Sequence, residues 1–486
     1  MKTLFLPSVP GRLALAALLL GLAPAARAQS SFAASVNYPL ASGATPLGVA
    51  VADVNGDGRP DVVTGNQGTD NVGVLLGQAS PAGTLGSPLY YSTGTGSLLR
   101  PTGVAVGDLN ADGRPDIVAV NQNAGTVAVL LNSATAPGTF LAAVTYATGG
   151  STPNLLRLAD LDADGRLDIV VGNTQGNNLG VLLASATTPG TFRAVATYTV
   201  GSPLGIAIGD VNRDGRPDVV VAGYGTTGGV NVLLGSATTP GTLGSPATYS
   251  SGGNPTVDVA LGDTNGDGYL DIVASNANSN SVAVLAGTAT GTFGTATTYP
   301  VVGEPNLLAL ADLNGDGRLD ITVANRTTGT VSVLTGRAAP VGTFAAAVTY
   351  AVGNNGGPLA LTVADLNGDS RRDVVATNST GGTVSVLLNT QTPLATTTPA
   401  LVAAEVSLYP NPAHGTFTVQ VPAVPGASTV AVELLNSLGQ VVRRQQTALP
   451  ATGLALPVDA AGLAAGVYAL RLQAGAKVFM GRVVLE

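Results

Sequence analysis

Short apolar runs recur through most of the chain, each closed by glycine, asparagine, threonine or aspartate. In the first repeat, Leu47-Gly48-Val49-Ala50-Val51-Ala52 leads into a polar loop. Val62-Val63 then opens a β-branched run that ends near Asn66, and after a Gly/Asn/Thr turn a further apolar run extends from Val72 to Leu76. Runs of this kind bounded by turn residues predict strands, and no helical period of useful length competes with them. A fourth strand carries a spaced pair: Phe140 with Tyr146, Phe192 with Tyr198, Phe293 with Tyr299, Phe344 with Tyr350. Leu85 with Tyr91 and Leu243 with Tyr249 keep the same spacing, which predicts both side chains on one face of a strand.

Four strands per unit, repeated seven times, predict an all-β chain: a seven-bladed β-propeller followed by a small C-terminal β-sandwich. The strand with Phe32 and Tyr38 precedes the first unit, and no matching strand follows the seventh. In a closed ring that early strand completes the last blade. An open solenoid is the alternative architecture.

Between the first and second strand of every unit stands a nine-residue polar loop. The loops open at Asp53, Asp108, Asp160, Asp210, Asp263, Asp312 and Asp365, with separations of 55, 52, 50, 53, 49 and 53. Position three is Asn55, Asn110, Asp162, Asn212, Asn265, Asn314 or Asn367. Position five is Asp57, Asp112, Asp164, Asp214, Asp267, Asp316 or Asp369, and position nine is Asp61, Asp116, Asp168, Asp218, Asp271, Asp320 or Asp373. Oxygen ligands on alternate residues, bent inward by glycine, are what a hard dication such as calcium requires. The backbone carbonyl of position seven (Arg59, Arg114, Arg166, Arg216, Tyr269, Arg318 or Arg371) offers one more oxygen. Asp-Gly hairpin turns alone explain the glycines but not the three carboxylates. An EF-hand needs a bidentate Glu at position twelve, where these loops have residues such as Thr64, Ala119 and Val171. Up to seven calcium ions, one per loop, are therefore expected. The seventh loop, with Ser370 in place of glycine and Arg372 beside it, is expected to bind most weakly, and the third, with Asp162, more readily.

Charge sharpens this picture. The net charge is −8, yet 22 of the 29 acidic residues lie in the seven loops, so the acidity is a set of local cation sites. Cysteine is absent, which excludes disulfides and thiolate chemistry. No nucleic-acid partner is expected.

The loops D-V-N-G-D-G-R-P-D, D-L-N-A-D-G-R-P-D and D-L-D-A-D-G-R-L-D resemble the FG-GAP/VCBS repeats of integrin α-subunit propellers. The resemblance covers roughly residues 30 to 390. It implies a seven-bladed ring with calcium in hairpin loops at one face, where the metals stabilise the scaffold and ligand contacts generally lie elsewhere.

The termini speak for export. Lys2 and Arg12 precede the apolar stretch from Leu13 to Leu22, and Ala26-Arg27-Ala28 stands before Gln29. Residues 1–28 thus read as a cleaved secretory signal, the apolar core being short for a transmembrane anchor. The propeller is assigned to 29–389, a Thr/Pro-rich linker to 390–402, and the sandwich to 403–486. Within the last segment, Tyr409-Pro410-Asn411-Pro412, then Leu438-Gly439-Gln440-Val441-Val442, then Gly466-Val467-Tyr468 resemble the type A C-terminal sorting domain of the type IX (Por) secretion system. That resemblance implies a Gram-negative bacterial protein that reaches the medium or the outer cell surface through the type IX machinery. An ordinary adhesion-type sandwich is the alternative.

Catalysis is poorly served by this inventory. From Gln29 to Ala400 there is no Lys or His, and Glu304 is the only Glu, so a Ser–His–Asp triad is excluded there. The acids outside the loops, Asp70, Asp258 and Glu304, read as solvated loop charges, and His414 reads as an exposed residue of the tail. The expected role is a secreted or surface calcium-binding scaffold, non-enzymatic, with a glycan or protein ligand at a propeller face. The alternative is a calcium-dependent polysaccharide-degrading enzyme of the lyase type, using a metal-bound carboxylate with Arg100, Arg157 or Arg326. Tyr90, Tyr224 and Tyr269 are the aromatics outside the paired positions, each read as packing before contact.

Overall fold

A computed structural model describes residues 31–225, 229–353, 356–391, 407–424, 427–436, 441–474 and 477–486. The signal segment 1–28 and most of the linker, 392–402, lie outside the described residues, as do 403–406 and positions 438–440 of the L-G-Q-V-V motif. Two compact units are present, residues 1–391 and 392–486.

In the first unit the described strands form seven four-stranded antiparallel sheets. Sheet one has Pro46–Ala52, Asp61–Asn66, Asn71–Leu75 and Leu89–Ser92 in that order. Sheets two to six repeat this plan over 101–147, 153–199, 203–249, 256–300 and 305–351. Sheet seven takes Pro358–Ala364, Asp373–Asn378 and Thr383–Leu387 from the C-terminal side, and its fourth strand is Val36–Pro39. Val36 pairs with Val386, and a further bridge joins Phe32 to Asn389. The early strand therefore completes the last sheet, as the repeat pattern predicts.

Every second strand is buried along its whole length, because neighbouring sheets cover both faces. A strand buried on both faces needs a continuous apolar run, which Ile117-Val118-Ala119-Val120 supplies. The core accordingly lies between sheets rather than in one centre. Val63, Val72 and Val74 of sheet one meet Ile117, Ala119 and Leu130 of sheet two. Corresponding clusters fill each following gap, and Val62 and Leu75 of sheet one pack on Val375, Val384 and Val386 of sheet seven. That last contact makes the ring closed and the fold a β-propeller, not an open solenoid.

The Phe/Tyr spacing has a different meaning from the one its period suggests. The fourth strand is short, Val144–Ala147 in sheet two, and Phe140 lies outside it in an isolated bridge to Asn132. Phe140 packs edge-on against Tyr91 of the preceding sheet at 5.2 Å, as Phe192 does against Tyr146 at 5.3 Å. Phe32 meets Tyr350 in the same way at 5.0 Å, tying the two ends of the ring. The bulky pairs are thus rivets between sheets.

The second unit holds a three-stranded and a four-stranded sheet. Phe417 and Val419 from one and Val432, Leu434, Leu470 and Leu472 from the other enclose a separate apolar core. Strand Thr416–Val421 alternates buried and outward residues, the mark of a sandwich strand.

Candidate metal centres

Each acidic loop joins the first strand of a sheet to the second, so all seven occupy the same end of the propeller. Turns such as 67–70 lie at the other end. In the first loop, Asp53 Oδ1 accepts the N–H of Gly56 and Asp57, and its Oδ2 accepts that of Gly58 at 2.7 Å. Asn55 Oδ1 accepts the N–H of Asp57, and Asp57 Oδ1 accepts that of Arg59. Positions one, three and five are thereby tied to the backbone of one tight coil. The bonds from positions five and six to the first Asp, and from position seven to the fifth residue, recur in all seven loops.

The coil requires a left-handed backbone twice. Position six has φ near +80°, as at Gly58 and Gly165, and Ser370 is forced to +66° in the seventh loop. Position four is left-handed as well, and there Ala111, Ala163 and Arg213 adopt φ of 60°, 57° and 60°. Glycine makes the bend legible in the sequence at position six, and at position four in Gly56, Gly266, Gly315 and Gly368. At position four, alanine and arginine hide the same geometry at a cost of about 1 kcal/mol each.

Position nine is a structural latch as much as a candidate ligand. Asp61 is fully buried; its Oδ2 accepts the N–H of Val54 at 2.8 Å and its Oδ1 that of Gly77 at 2.7 Å. Asp116, Asp168, Asp218, Asp271, Asp320 and Asp373 repeat both bonds. Each clamps the acidic loop to the chain leaving the third strand. Burial pushes these carboxyls up, to about 6 for Asp61, Asp116, Asp168 and Asp373 and to about 7 for Asp320. The two N–H donors pull the other way, and the neighbouring aspartates add to the rise. Asp218 and Asp271 are raised for the same first reason. A carboxylate oxygen with one N–H donor retains a lone pair for an ion.

The loops differ where their sequences do. In six of them the position-seven arginine folds back to pair with the position-five aspartate: Arg59 with Asp57, Arg114 with Asp112, Arg166 with Asp164, Arg216 with Asp214, Arg318 with Asp316, and Arg371 with Asp369. The fifth has Tyr269 there. In the third loop, Asp160, Asp162 and Asp168 bring carboxylate oxygens within 4.8 Å of one another. Asp162 Oδ1 is buried without a hydrogen-bond partner, and burial followed by the charge of Asp164 raises that carboxyl. An orphaned buried carboxylate oxygen inside a cluster of oxygen donors fits a hard dication such as calcium.

The remaining candidates separate. Asp258 is not a solvated loop charge: it lies on the inner strand Thr256–Gly262 with 1% exposure and accepts the N–H of Leu308. Burial lifts it to about 6 against the opposing charge of Arg157. Polar residues on an otherwise apolar run give no sign of such burial, which comes from the packing of inner strands. Asp70 accepts the N–H groups of Leu98 and Arg100, and Glu304 stands 3.6 Å from Arg326. Arg100 and Arg326 flank strands at the end opposite the acidic loops, and Arg157 is within an inner strand. Tyr90 accepts the N–H of Ala41, and Tyr224 is 49% exposed. His414 is exposed beside Glu486.

Residues 108–171, 160–221, 210–274, 263–323 and 312–376 match the FG-GAP-like repeat, and residues 45–83 match the FG-GAP repeat. Residues 407–486 match the secretion system C-terminal sorting domain. No curated protein matches the chain. Among solved structures, BBS1N in complex with ARL6DN, soaked with lead, is 14% identical over 75% of this chain and 98% of that one, with a TM-score of 0.48. An Agrocybe aegerita lectin in a study of recognition of non-reducing terminal N-acetylglucosamine is 20% identical over 62% of this chain and 79% of that one, with a TM-score of 0.44.

Proposed function

Because the chain belongs to the FG-GAP-like repeat family, we propose that it is a calcium-stabilised, non-enzymatic ligand-binding scaffold of the cell surface or medium. The sorting domain makes it a secreted or cell-surface protein and implies interaction with the type IX secretion machinery. Among the described residues no helix is long and apolar enough to cross a membrane. We take the host to be a Gram-negative cell and residues 1–28 to be the leader that delivers the chain to that machinery.

The observation that carries the calcium reading is the third loop, where Asp162 keeps a buried oxygen without a hydrogen-bond partner among converging carboxylates. When bound, calcium would neutralise the aspartates of the loop that holds it. The chain's own residues do the rest. Positions one, three and five present oxygens from the coil, and position nine ties that coil to the sheet, so ion binding and blade integrity are coupled. A non-enzymatic role is supported by the lack of Lys and His from Gln29 to Ala400. Of the arginines considered for a lyase, Arg100 and Arg326 flank strands at the end opposite the loops, which supports the non-enzymatic reading.

Elemental analysis of the purified full chain, with thermal melts before and after EDTA, tests this reading. Bound calcium and a lower melting temperature after chelation are expected. A metal-free protein whose melt EDTA leaves unchanged would sink it.

A further inference from the structure

Six of the seven sheets end their second strand in a buried asparagine: Asn66, Asn121, Asn173, Asn276, Asn325 and Asn378. Sheet four has Gly223 at that place. The residue facing it across the ladder is Gly229, where Asn121 faces Thr126 and Asn276 faces Ser281. In three sister sheets the asparagine amide donates to the link entering the sheet: Asn121 to the Thr93 carbonyl at 2.9 Å, Asn173 to that of Thr148 at 2.9 Å and Asn276 to that of Ser251 at 3.1 Å. In sheet four both side chains are missing from the sequence, and a cavity of 490 Å³ stands there, at the end opposite the acidic loops.

Among the described residues, four neutral polar side chains line it, Asn177, Ser202, Asn231 and Thr248, together with the backbone of Gly201, Gly223, Gly225 and Gly229. The Thr248 hydroxyl donates to Asn231 Oδ1 at 2.8 Å, and the Asn231 amide nitrogen lies 3.6 Å from where a Cβ on Gly223 would stand. Its N–H groups therefore border the vacated space. The volume is that of a small-molecule site. None of these described lining residues is charged, so an ion would enter unpaired, and an apolar guest would leave the amides unsatisfied. Hydroxyl groups, which both donate and accept, suit such a wall.

We propose that this cavity binds a neutral sugar unit of about hexose size. The proposal deepens the ligand-binding reading above and rests on it. It also explains why one repeat departs from the other six: deleting two side chains in register opens a site without disturbing the ladder.

The repeat itself supplies the test. The backbone at Gly223 is extended, and an added Cβ would meet its nearest atoms at 3.4 Å, ordinary contact, so Gly223→Asn restores the sister-sheet arrangement. Saturation-transfer NMR on the full chain, against methyl glycosides of neutral hexoses and N-acetylhexosamines, should show transfer to at least one of them. Gly223→Asn should weaken that binding about tenfold or more, with calcium content and melting temperature retained. Gly229→Thr, which copies Thr126 of sheet two, is the second variant and should also weaken it. The proposal is overturned if no glycoside receives transfer, or if both folded variants bind as the parent does. Either result, with calcium content and the EDTA response intact, leaves the calcium scaffold standing.

Discussion

Arg213 lies over the ring of Tyr269, its guanidinium carbon 4.2 Å from the ring centroid. The two residues belong to neighbouring loops, the fourth and the fifth, and the same guanidinium donates to the Gly268 carbonyl. The fifth is the one loop without its own arginine at position seven, and the adjacent sheet supplies one from outside. A double-mutant cycle of Arg213→Ala and Tyr269→Ala should yield a coupling of about 0.5–1 kcal/mol in denaturant unfolding. Strict additivity would mean that the stacking adds nothing.

Ser370 occupies a left-handed position that every sister loop gives to glycine. Ser370→Gly should therefore stabilise the protein by about 1 kcal/mol. It should also raise calcium affinity at the seventh loop, read by isothermal titration. In the opposite direction, Asp162→Asn should weaken the third loop by removing its fourth carboxylate.

The raised position-nine carboxyls predict a pH signature for the proposed calcium dependence. Their folded values, about 6 to 7 in five loops, stand above the unfolded value of 3.8, so the apo folded state binds more protons. Its stability from this source is full below about pH 4 and lost as pH rises through 6 to 7. A dication favours the ionised form and offsets the loss. The melting-temperature gap between calcium-loaded and EDTA-treated protein should therefore widen from pH 5 to pH 8. A gap that is flat or narrows over that range would contradict the latch carboxylates' part in ion binding.

Asp258 is a buried acid of the propeller that no loop explains. Its carboxyl, raised from 3.8 to about 6, makes ionisation in the folded state costly by about 3 kcal/mol. Asp258→Asn should thus be more stable than the parent at pH 8, and the difference should vanish near pH 4. Equal stability at both pH values would show that Arg157 fully compensates the charge.

Much of this architecture is legible along the chain. Apolar runs punctuated by glycine and asparagine mark the strands, because alternation and turn chemistry act within a few residues. The orphan strand carrying Phe32 and Tyr38 foretells the closure, since a repeat missing its last strand must borrow one. What misleads is any inference that equates spacing along one strand with partnership. Phe140 and Tyr146 share a spacing, yet Phe140 meets Tyr91, because rings on short outer strands project across the gap between sheets.

The order of residues thus decided the strands, the number of acidic loops and their carboxylates, all consequences of local backbone preference and side-chain chemistry. The assembled ring decided the rest. It clamped Asp61 onto Gly77, buried Asp258, set Arg213 on Tyr269 and left space beside Gly223. Each of these joins residues that close packing of neighbouring strands and sheets brings together, and desolvation, not sequence distance, sets their energies.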